Sequence, residues 1–249
     1  MRTPTALALG LPTALALAHA GPTLTGWDRL RTVLWPRVAG VGRLDGVALT
    51  FDDGPDPEGT PAVLARLDAL GWTATFFLLG SQVRRFPEQA EALVAAGHEI
   101  AVHGDIHHSH LFRGPGDVAA DLRRAVATIR DVTGVRPRFF RPPYGVVTTG
   151  TLRAARRAGV QPVLWTSWGK DWQAASTPER VVRKLSRTLD PGATLLLHDS
   201  DCTSTPGSWR ATAACLPLLA DELARRGLAV RPLGAHLPPA RRQAPAGGR

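Results

Sequence analysis

The stretch Gly46–Pro61, GVALTFDDGPDPEGTP, is the starting point for the architecture. Its apolar run from Val47 to Phe51 is typical of a buried strand, and the strand ends directly on two adjacent carboxylates, Asp52 and Asp53. Each carboxylate raises the cost of ionising the other, and leaving both near a hydrophobic core is expensive unless something compensates. A bound cation or a catalytic task would compensate. We therefore expect a functional site where this strand ends.

Strand-like and helical segments alternate along the chain after residue 45. Thr60 and Pro61 predict a helix start that Gly71 ends, and residues 116–134 carry apolar side chains at helical spacing. Such alternation predicts a parallel α/β fold, either an open doubly wound sheet or a barrel. No glycine-rich dinucleotide motif or phosphate loop follows the first strand, which weakens a nucleotide-binding role. The predicted strands are Val47–Phe51, Ala74–Leu79, Glu99–His103, Arg138–Arg141, Gln161–Trp165, Thr194–His198 and Leu228–Pro232.

The composition indicates a globular protein with a basic surface. The 249 residues fit one large domain or two small ones, and 44% hydrophobic with 20% charged residues is the usual balance for a soluble fold. The net charge of +9, from 30 basic and 21 acidic residues, suits an anionic cell surface as well as nucleic acid. Because the sequence has no zinc-finger spacing and no basic amphipathic run with interleaved aromatics, we expect no nucleic-acid partner.

Residues 1–20 have the pattern of a signal peptide or membrane-targeting segment. Arg2 gives a positive start, an apolar run from Ala6 to Ala18 follows, and AHA at the end of the segment offers a small-residue cleavage site. The run is too short to span a bilayer comfortably. Export would place Cys202 and Cys215 in an oxidising compartment, where either a disulfide or two buried free thiols would be consistent with the sequence.

Polar motifs follow several of the predicted strands, each at the strand's C-terminal end. On that face α/β barrels and open parallel sheets build their active sites, so we expect the motifs to converge on one rim. They are the Asp52–Asp53 pair, the HGDIHHSH stretch that starts at His103, RPPYG at Arg141–Gly145, WGKDW at Trp168–Trp172 and HDSD at His198–Asp201.

His103 and His107 are candidate metal ligands. Their spacing of four residues would place both imidazoles on one side of a helical turn, within reach of one ion. Adding one carboxylate gives a set with open positions for water and substrate, and such a site polarises a carbonyl and lowers the pKa of bound water. His108 and His110 lie in the same stretch, so the spacing alone leaves the ligand assignment open.

Three further polar residues on the predicted rim have two interpretations each. His198 has an ordinary pKa near neutrality and is a candidate general acid, or a satisfied core histidine. Arg141 is followed by two prolines, which would fix the direction of its guanidinium for a catalytic or a structural ion pair. Asp171, between Trp168 and Trp172, would cap a helix or orient a histidine, and the tryptophans would form a sugar-stacking wall or pack the core.

Taken in order, TFDDGP, HGDIH, RPPYG, WGKDW and LLLHDS resemble the five motifs of the polysaccharide deacetylase family, carbohydrate esterase family four, also called the NodB homology domain. The resemblance extends over about Gly46–Leu233 and implies a distorted (β/α) barrel of about seven parallel strands. We accordingly expect a linker at residues 21–45, the deacetylase domain at 46–235 and a disordered basic tail at 236–249.

The resemblance implies a different role for each of the two adjacent carboxylates. It implies that Asp52 is the general base and that Asp53 binds the metal together with His103 and His107. Arg141 resembles the residue that pairs with the base and holds it in place.

The resemblance implies roles for the remaining motif residues as well. His198 matches the general acid, and Asp171 matches the acidic residue that supports it. The backbone N–H of Tyr144 resembles the oxyanion donor, and its side chain is expected at the substrate. Leu196 resembles a wall of the acetyl-methyl pocket, and Trp172 is expected to contact substrate.

Two departures from the family pattern stand out. The family usually carries Ser or Thr after the first metal histidine, where this chain has Gly104, so one hydrogen bond near the metal should be missing. A further acidic residue that often lies near Trp168 is also absent. Neither change removes a residue with an implied direct role.

The implied activity is hydrolysis of N-acetyl groups on an acetylated glycan, of the chitooligosaccharide or peptidoglycan type, with a divalent ion as cofactor. Zinc is the first expectation, with cobalt or other divalent ions as alternatives. The alternative functions are an O-acetyl glycan esterase, a small-molecule amide hydrolase and a catalytically silent glycan-binding surface protein. We expect an exported protein, with the anionic cell envelope as a second partner of its basic surface. The sequence does not predict the oligomeric state.

Overall fold

The computed structural model describes residues 19–26 and 28–237 of the chain. Its parallel strands form one curled sheet in the order β5-β4-β3-β2-β1-β7-β6, with β8 paired to the first residues of β1. This confirms the distorted barrel and adds one short strand, β6, to those predicted. The strands are β1 (Gly46–Asp52), β2 (Thr75–Leu79), β3 (Glu99–Gly104), β4 (Phe139–Phe140), β5 (Gln161–Pro162), β6 (Ser167–Trp168), β7 (Thr194–His198) and β8 (Ala229–Arg231).

Side chains alternate between the two faces of the sheet, which is why an unbroken run of buried residues can carry a polar site. In β1, Val47, Leu49 and Phe51 pack against the helices in the main core, whereas Ala48 belongs to a separate cluster inside the barrel. The inward register continues through Thr50 to the carboxylate that ends the strand. The barrel interior therefore turns polar only at the C-terminal ends of its strands.

The sheet is open between β5 and β6 in the described part of the chain. Gln161–Trp165 was predicted as one strand, but only its first two residues pair with β4. Val163 still donates to the Phe140 carbonyl, and Thr166 already donates to the Thr194 carbonyl in β7. The chain therefore passes from one edge of the open sheet to the other within a few residues.

Helices cover the outside of the barrel. The helix predicted at residues 116–134 is confirmed: it starts with proline at its first position, and Gly134 ends it with a φ of +70°. The helices are α1 (Asp28–Leu34), α2 (Pro36–Ala39), α3 (Gly59–Ala69), α4 (Gly80–Arg85), α5 (Pro87–Ala95), α6 (Pro115–Thr133), α7 (Thr149–Ala158), α8 (Pro178–Ser186), α9 (Trp209–Arg225) and α10 (Leu233–His236). Short 3₁₀ helices span Gly21–Gly26, His110–Phe112 and Pro143–Gly145.

Within the segment 21–45, predicted as a linker, helices instead occupy Gly21–Gly26, Asp28–Leu34 and Pro36–Ala39, and the segment packs against the open side of the barrel. Arg31 is 2% exposed, and its Nη2 donates to the Trp165 carbonyl at 2.5 Å. The Leu164 N–H donates to the Val38 carbonyl at 2.7 Å. Where the chain crosses between β5 and β6, some backbone groups have no partner in a neighbouring strand. Residues of the segment 21–45 provide hydrogen-bond partners for them.

The predicted disordered tail also begins with a residue that packs against the domain. His236, predicted to begin a disordered tail, is buried in α10 with its Nε2 3.0 Å from the Gly192 carbonyl. The predicted signal segment up to residue 18 and the basic residues from 238 onward lie outside the described residues. Among the described helices we find none with the length and apolarity needed to cross a membrane. Cys202 and Cys215 are free thiols.

Candidate active site

The end of β1 turns sharply and separates the two adjacent carboxylates. Asp52 is the last residue of the strand, and Asp53 has a φ of +78°, in the left-handed region that few residues other than glycine adopt. Both side chains are buried, at 2% and 1% exposure. The turn sends the two carboxylates in different directions, so each meets its own set of partners.

Asp53, His103 and His107 form a cluster that fits a divalent ion. One ligand atom from each lies within 4.8 Å of the others. Asp53 Oδ1 is 3.3 Å from His103 Nε2 and 3.6 Å from His107 Nε2, and this buried oxygen has no hydrogen-bond partner among the described residues. One carboxylate and two imidazoles are ligands that zinc prefers, with positions left over for water and substrate. The donor set therefore fits the expected metal.

The protonation of the two histidines suits metal binding. His103 Nδ1 is 2.8 Å from the Arg141 carbonyl, which can only accept, so Nδ1 carries the proton and Nε2 offers its lone pair. Burial, reinforced by the charge of His103, lowers the pKa of His107 to about 4, so its imidazole is neutral at physiological pH. Burial would raise the pKa of the Asp53 carboxyl, but the surrounding histidines, His103 first and then His198 and His107, hold that pKa below its usual range.

The prediction of a helical turn between His103 and His107 is wrong. His103 lies in β3, and His107 lies in an irregular loop that folds back over the strand end, with the two ring centroids 5.2 Å apart. Of the neighbouring histidines, His108 is exposed, and His110 is buried with its Nδ1 3.0 Å from the Thr151 hydroxyl. Neither belongs to the cluster.

Asp52 is held by Arg141, as the resemblance implied. Arg141 Nη1 donates to Asp52 Oδ1 at 2.6 Å, which leaves Oδ2 facing His103 Nε2 at 3.8 Å. The guanidinium is fully buried and also donates to the Thr50 hydroxyl and to the carbonyls of Val163 and Leu164. One oxygen of Asp52 is thus fixed, and the other faces the metal cluster.

His198 and Asp171 form a second buried ion pair. His198 Nδ1 is 2.8 Å from Asp171 Oδ1. Asp171 Oδ2 accepts from the backbone N–H of His198 at 2.7 Å and from the Thr212 hydroxyl at 2.6 Å. Burial favours the neutral imidazole, but the charge and hydrogen bond of Asp171, with smaller contributions from Asp53 and Asp52, raise the pKa of His198 to about 9. The imidazole is therefore protonated at neutral pH.

Tyr144 lies at the rim of the site. Its backbone is left-handed, with a φ of +59°, inside the short turn Pro143–Gly145. Its ring is 4.4 Å from that of His107, and the residue is 64% exposed. The turn places the Tyr144 ring against His107 of the metal cluster.

One cavity of about 190 Å³ is lined by Asp52, the metal cluster, Tyr144 and His198, whereas Arg141 and Asp171 do not line it. Leu196 and Trp165 form part of its apolar wall, and Trp172 lies beside His198 with ring centroids 5.6 Å apart. The metal cluster and His198 thus line the same space. Its lining residues are Asp52, Asp53, His103, His107, Tyr144, Gly145, Trp165, Trp168, Trp172, Leu196, His198, Thr203 and Ser204.

The structure explains the glycine that departs from the family pattern. Gly104 has a φ of +111°, a conformation that L side chains rarely adopt, and a Cβ there would be 3.2 Å from Asp121 Oδ2. A serine or threonine would therefore be strained at this position. His103 is oriented by the Arg141 carbonyl instead.

Two polar contacts at the site were missed by the sequence analysis. The Thr203 hydroxyl donates to Asp53 Oδ2 at 2.5 Å, so the oxygen that does not face the histidines is fixed from the loop after β7. Thr50 accepts from Arg141, and it could have been found because it lies two residues before Asp52 on the same face of the strand. No comparable signal marks Thr203, since its loop has no regular period.

Comparisons with known proteins agree with this geometry. A family model described as "Polysaccharide deacetylase" matches residues 42–163. The chain is 36% identical over 198 residues to a chitooligosaccharide deacetylase of Bradyrhizobium sp., across 75% of this chain and 88% of that protein. It is 33% identical over 188 residues to a peptidoglycan-N-acetylglucosamine deacetylase of Bacillus cereus, across 73% and 83%. The solved structure of the Bc1960 peptidoglycan N-acetylglucosamine deacetylase matches with a TM-score of 0.73 and 26% identity, across 79% of this chain and 90% of that one.

Proposed function

The chain belongs to the polysaccharide deacetylase family, and on that premise we propose that it is a divalent-metal hydrolase that removes N-acetyl groups from a chitooligosaccharide-like or peptidoglycan-like glycan. The observation that carries this proposal is the single cavity in which the Asp53–His103–His107 cluster lies beside Asp52 and the protonated His198. A catalytically silent glycan-binding protein would not need these groups to converge.

Zinc is the ion we propose for the cluster, held by Asp53 Oδ1 and the two Nε2 atoms. Such an ion polarises a bound carbonyl and lowers the pKa of a bound water. The neutral imidazole of His107 and the Nδ1–H tautomer of His103 leave both donor nitrogens ready for it.

Asp52 acts as the general base. Its Oδ1 is held by Arg141, so its Oδ2 keeps one orientation toward the cluster and accepts the proton of the attacking water. The buried Arg141 guanidinium stays charged because it donates to the Asp52 carboxylate, to the Thr50 hydroxyl and to two backbone carbonyls, and it lies 4.0 Å from the Phe77 ring.

His198 acts as the general acid. Its protonated imidazole donates to the amine nitrogen as the C–N bond breaks, and Asp171 stabilises the charged form until then. The Tyr144 backbone N–H donates to the oxyanion that develops on the acetyl group. Water supplies the oxygen that leaves in acetate, and the sugar leaves with a free amine.

Leu196, Trp165 and Gly145 form the apolar end of the cavity, where we place the acetyl methyl group. The Trp172 ring next to His198 offers a face for the sugar itself. An N-acetyl group therefore has an apolar pocket for its methyl group and charged groups at its carbonyl and nitrogen.

Acetate release tests this function. Chitotetraose, peptidoglycan and acetylxylan are each incubated with the chelator-treated protein, with and without added zinc. We expect zinc-dependent acetate release from the N-acetyl substrates. Release from acetylxylan alone would indicate an O-acetyl esterase, and no release from any substrate would overturn the proposal.

We also propose that the protein acts outside the cytoplasm, at the cell envelope. The signal-like pattern of residues 1–20 and the net charge of +9 support this location. Fractionation of cells that express the full chain tests it, and recovery of activity in the cytoplasmic fraction alone would contradict it.

A further inference from the structure

A second cavity, of about 340 Å³, lies next to the active-site cavity. Trp165 and Trp168 line both cavities. The second cavity is also lined by Lys170, Lys184 and Arg187, and no carboxylate lines it. We call these three residues the cationic patch. A concave, positively charged surface therefore borders the site at which the sugar is expected to react.

The described part of the protein provides no direct ion-pair partner for the cationic patch. Among the side chains that the structure describes from residue 30 to residue 237, no carboxylate oxygen lies within the 4.0 Å ion-pair distance of any of its three side chains. Lys184 Nζ donates only to the neutral Gln173 side chain, at 2.8 Å. Desolvation and then the charges of Lys170 and Arg180 lower the pKa of Lys184, and the charge of Asp171 opposes them only in part. An anion bound here would relieve this repulsion.

Helix α8 extends the positive surface beyond the cavity. Arg180, Arg183, Lys184 and Arg187 follow the i, i+3, i+4, i+7 spacing that places residues on one helix face. The opposite face is apolar and buried in the core, which fixes the direction of the basic face. The basic face is therefore a permanent feature of the surface.

Aromatic rings connect the cationic patch to the general acid. Lys170 Nζ lies 5.2 Å from the Trp168 ring, Trp168 stacks on Trp172 at 4.5 Å, and Trp172 meets His198 at 5.6 Å. Indole faces of this kind are suited to contact sugar rings. Lys170 itself has a strained φ of +51°, and its carbonyl accepts from the Ser176 hydroxyl. A glycan over these rings would reach both the acid and the patch.

We propose that the substrate is a negatively charged glycan and that the cationic patch binds a carboxylate or phosphate group on it. This inference rests on the proposed function and narrows its substrate class. The anion lies in the second cavity while the reacting N-acetyl group lies between Asp52 and His198. Arg187 can bind either oxyanion with two parallel hydrogen bonds, and the two lysines add charge.

Three tetrasaccharides of equal length test the proposal. They are neutral N-acetylchitotetraose, its 1-phosphate, and a peptidoglycan tetrasaccharide whose muramic acid residues carry carboxylates. The variant is Lys184→Gln/Arg187→Gln. The control is Arg123→Gln/Arg157→Gln, which removes the same charge from exposed positions on α6 and α7. Acetate release gives kcat/KM, and calorimetry gives Kd, each at low and high salt.

We expect the wild-type protein to favour at least one charged tetrasaccharide, and the patch variant to lose about tenfold of that preference, or ~1.4 kcal/mol. High salt should weaken the preference as well. The control pair should keep it. Preference for the phosphate or for the carboxylate identifies which anion is recognised.

Equal preference in the wild-type protein and the patch variant would overturn the proposal, as would an equal loss in the control pair. The two proposals fail in different ways. A patch-dependent Kd without acetate release from any tetrasaccharide would refute the deacetylase activity and retain anion recognition. Acetate release with no charge preference would do the reverse.

Discussion

Asp171→Asn should shift the pH dependence of turnover toward acid. In the native protein the pKa of His198 is raised to about 9, and the charge of Asp171 at 2.8 Å is the main cause of the rise. Burial acts in the opposite direction. Once the charge of Asp171 is removed, the main interaction that raises the pKa of His198 is lost while burial still lowers it. The pKa of His198 should therefore fall to or below the ordinary value of 6.5.

The size of the effect follows from the fraction of His198 that carries a proton. With a pKa of about 9 the imidazole is ~90% protonated at pH 8, and with a pKa of 6.5 it is ~3% protonated. A general acid works only in its protonated form, so Asp171→Asn should be about thirtyfold slower than the native protein at pH 8. Near pH 6 both proteins keep most of the acid form, and most of the loss should disappear.

Profiles of kcat/KM against pH, measured by acetate release from chitotetraose with saturating zinc, provide the test. Asp190→Asn, at an exposed position, is the matched control and should keep the native profile. An activated aryl acetate should show little of the loss, because its leaving group needs no proton. An equal loss at pH 6 and pH 8, with the alkaline limb unmoved, would refute the assignment of His198 as an acid charged by Asp171.

Three further changes test the surroundings of the metal cluster. Thr203→Val should weaken zinc binding about 10- to 100-fold, because Asp53 Oδ2 loses its donor, and an unchanged zinc Kd would contradict that role. Gly104→Ser should cost about 1–3 kcal/mol through its left-handed backbone, or ~2–12 °C in Tm. Gly116→Ser, in open space on α6, should melt like the native protein, and equal losses would refute the strain argument. His108→Ala should keep a full zinc complement in metal analysis, and loss of the ion would move the ligand assignment.

The sequence predicted the parts of the site that lie at the ends of regular strands. His103 and His198 end predicted strands and Asp52 directly follows one, and the alternation of side chains fixes them on the inner face of the barrel. Their convergence follows from the parallel topology, because all strand C-termini meet on one rim. Local periodicity therefore carried enough information to place them.

Features that depend on irregular backbone were not predicted correctly from the sequence. The spacing of His103 and His107 indicated a helical turn, yet a loop brings the rings together. Thr60 was expected to mark the start of α3, but the helix starts at Gly59, the Thr60 hydroxyl donates to Asp199, and Asp56 accepts from the N–H groups of Glu58 and Gly59. Such choices depend on tertiary neighbours, which no local pattern reports.

The segment before β1 was misjudged for a similar reason. We expected a linker there, but Arg31 and Val38 bond to backbone groups at the opening of the barrel. The need for those bonds arises only once the sheet fails to close between β5 and β6. A single sequence contains no local sign of that opening.

The metal content of Asp52→Asn and Asp53→Asn, measured together with turnover after equilibration with zinc, tests the central claim most directly. The two residues are adjacent, both are buried, and the substitutions are chemically identical. Asp52→Asn should retain one zinc per chain and lose turnover, because the ligand set is intact and the base is gone. Asp53→Asn should lose the zinc, because Oδ1 no longer offers a charged ligand to the histidines. A zinc-free Asp52→Asn beside a zinc-replete Asp53→Asn would contradict the division of roles on which the account depends.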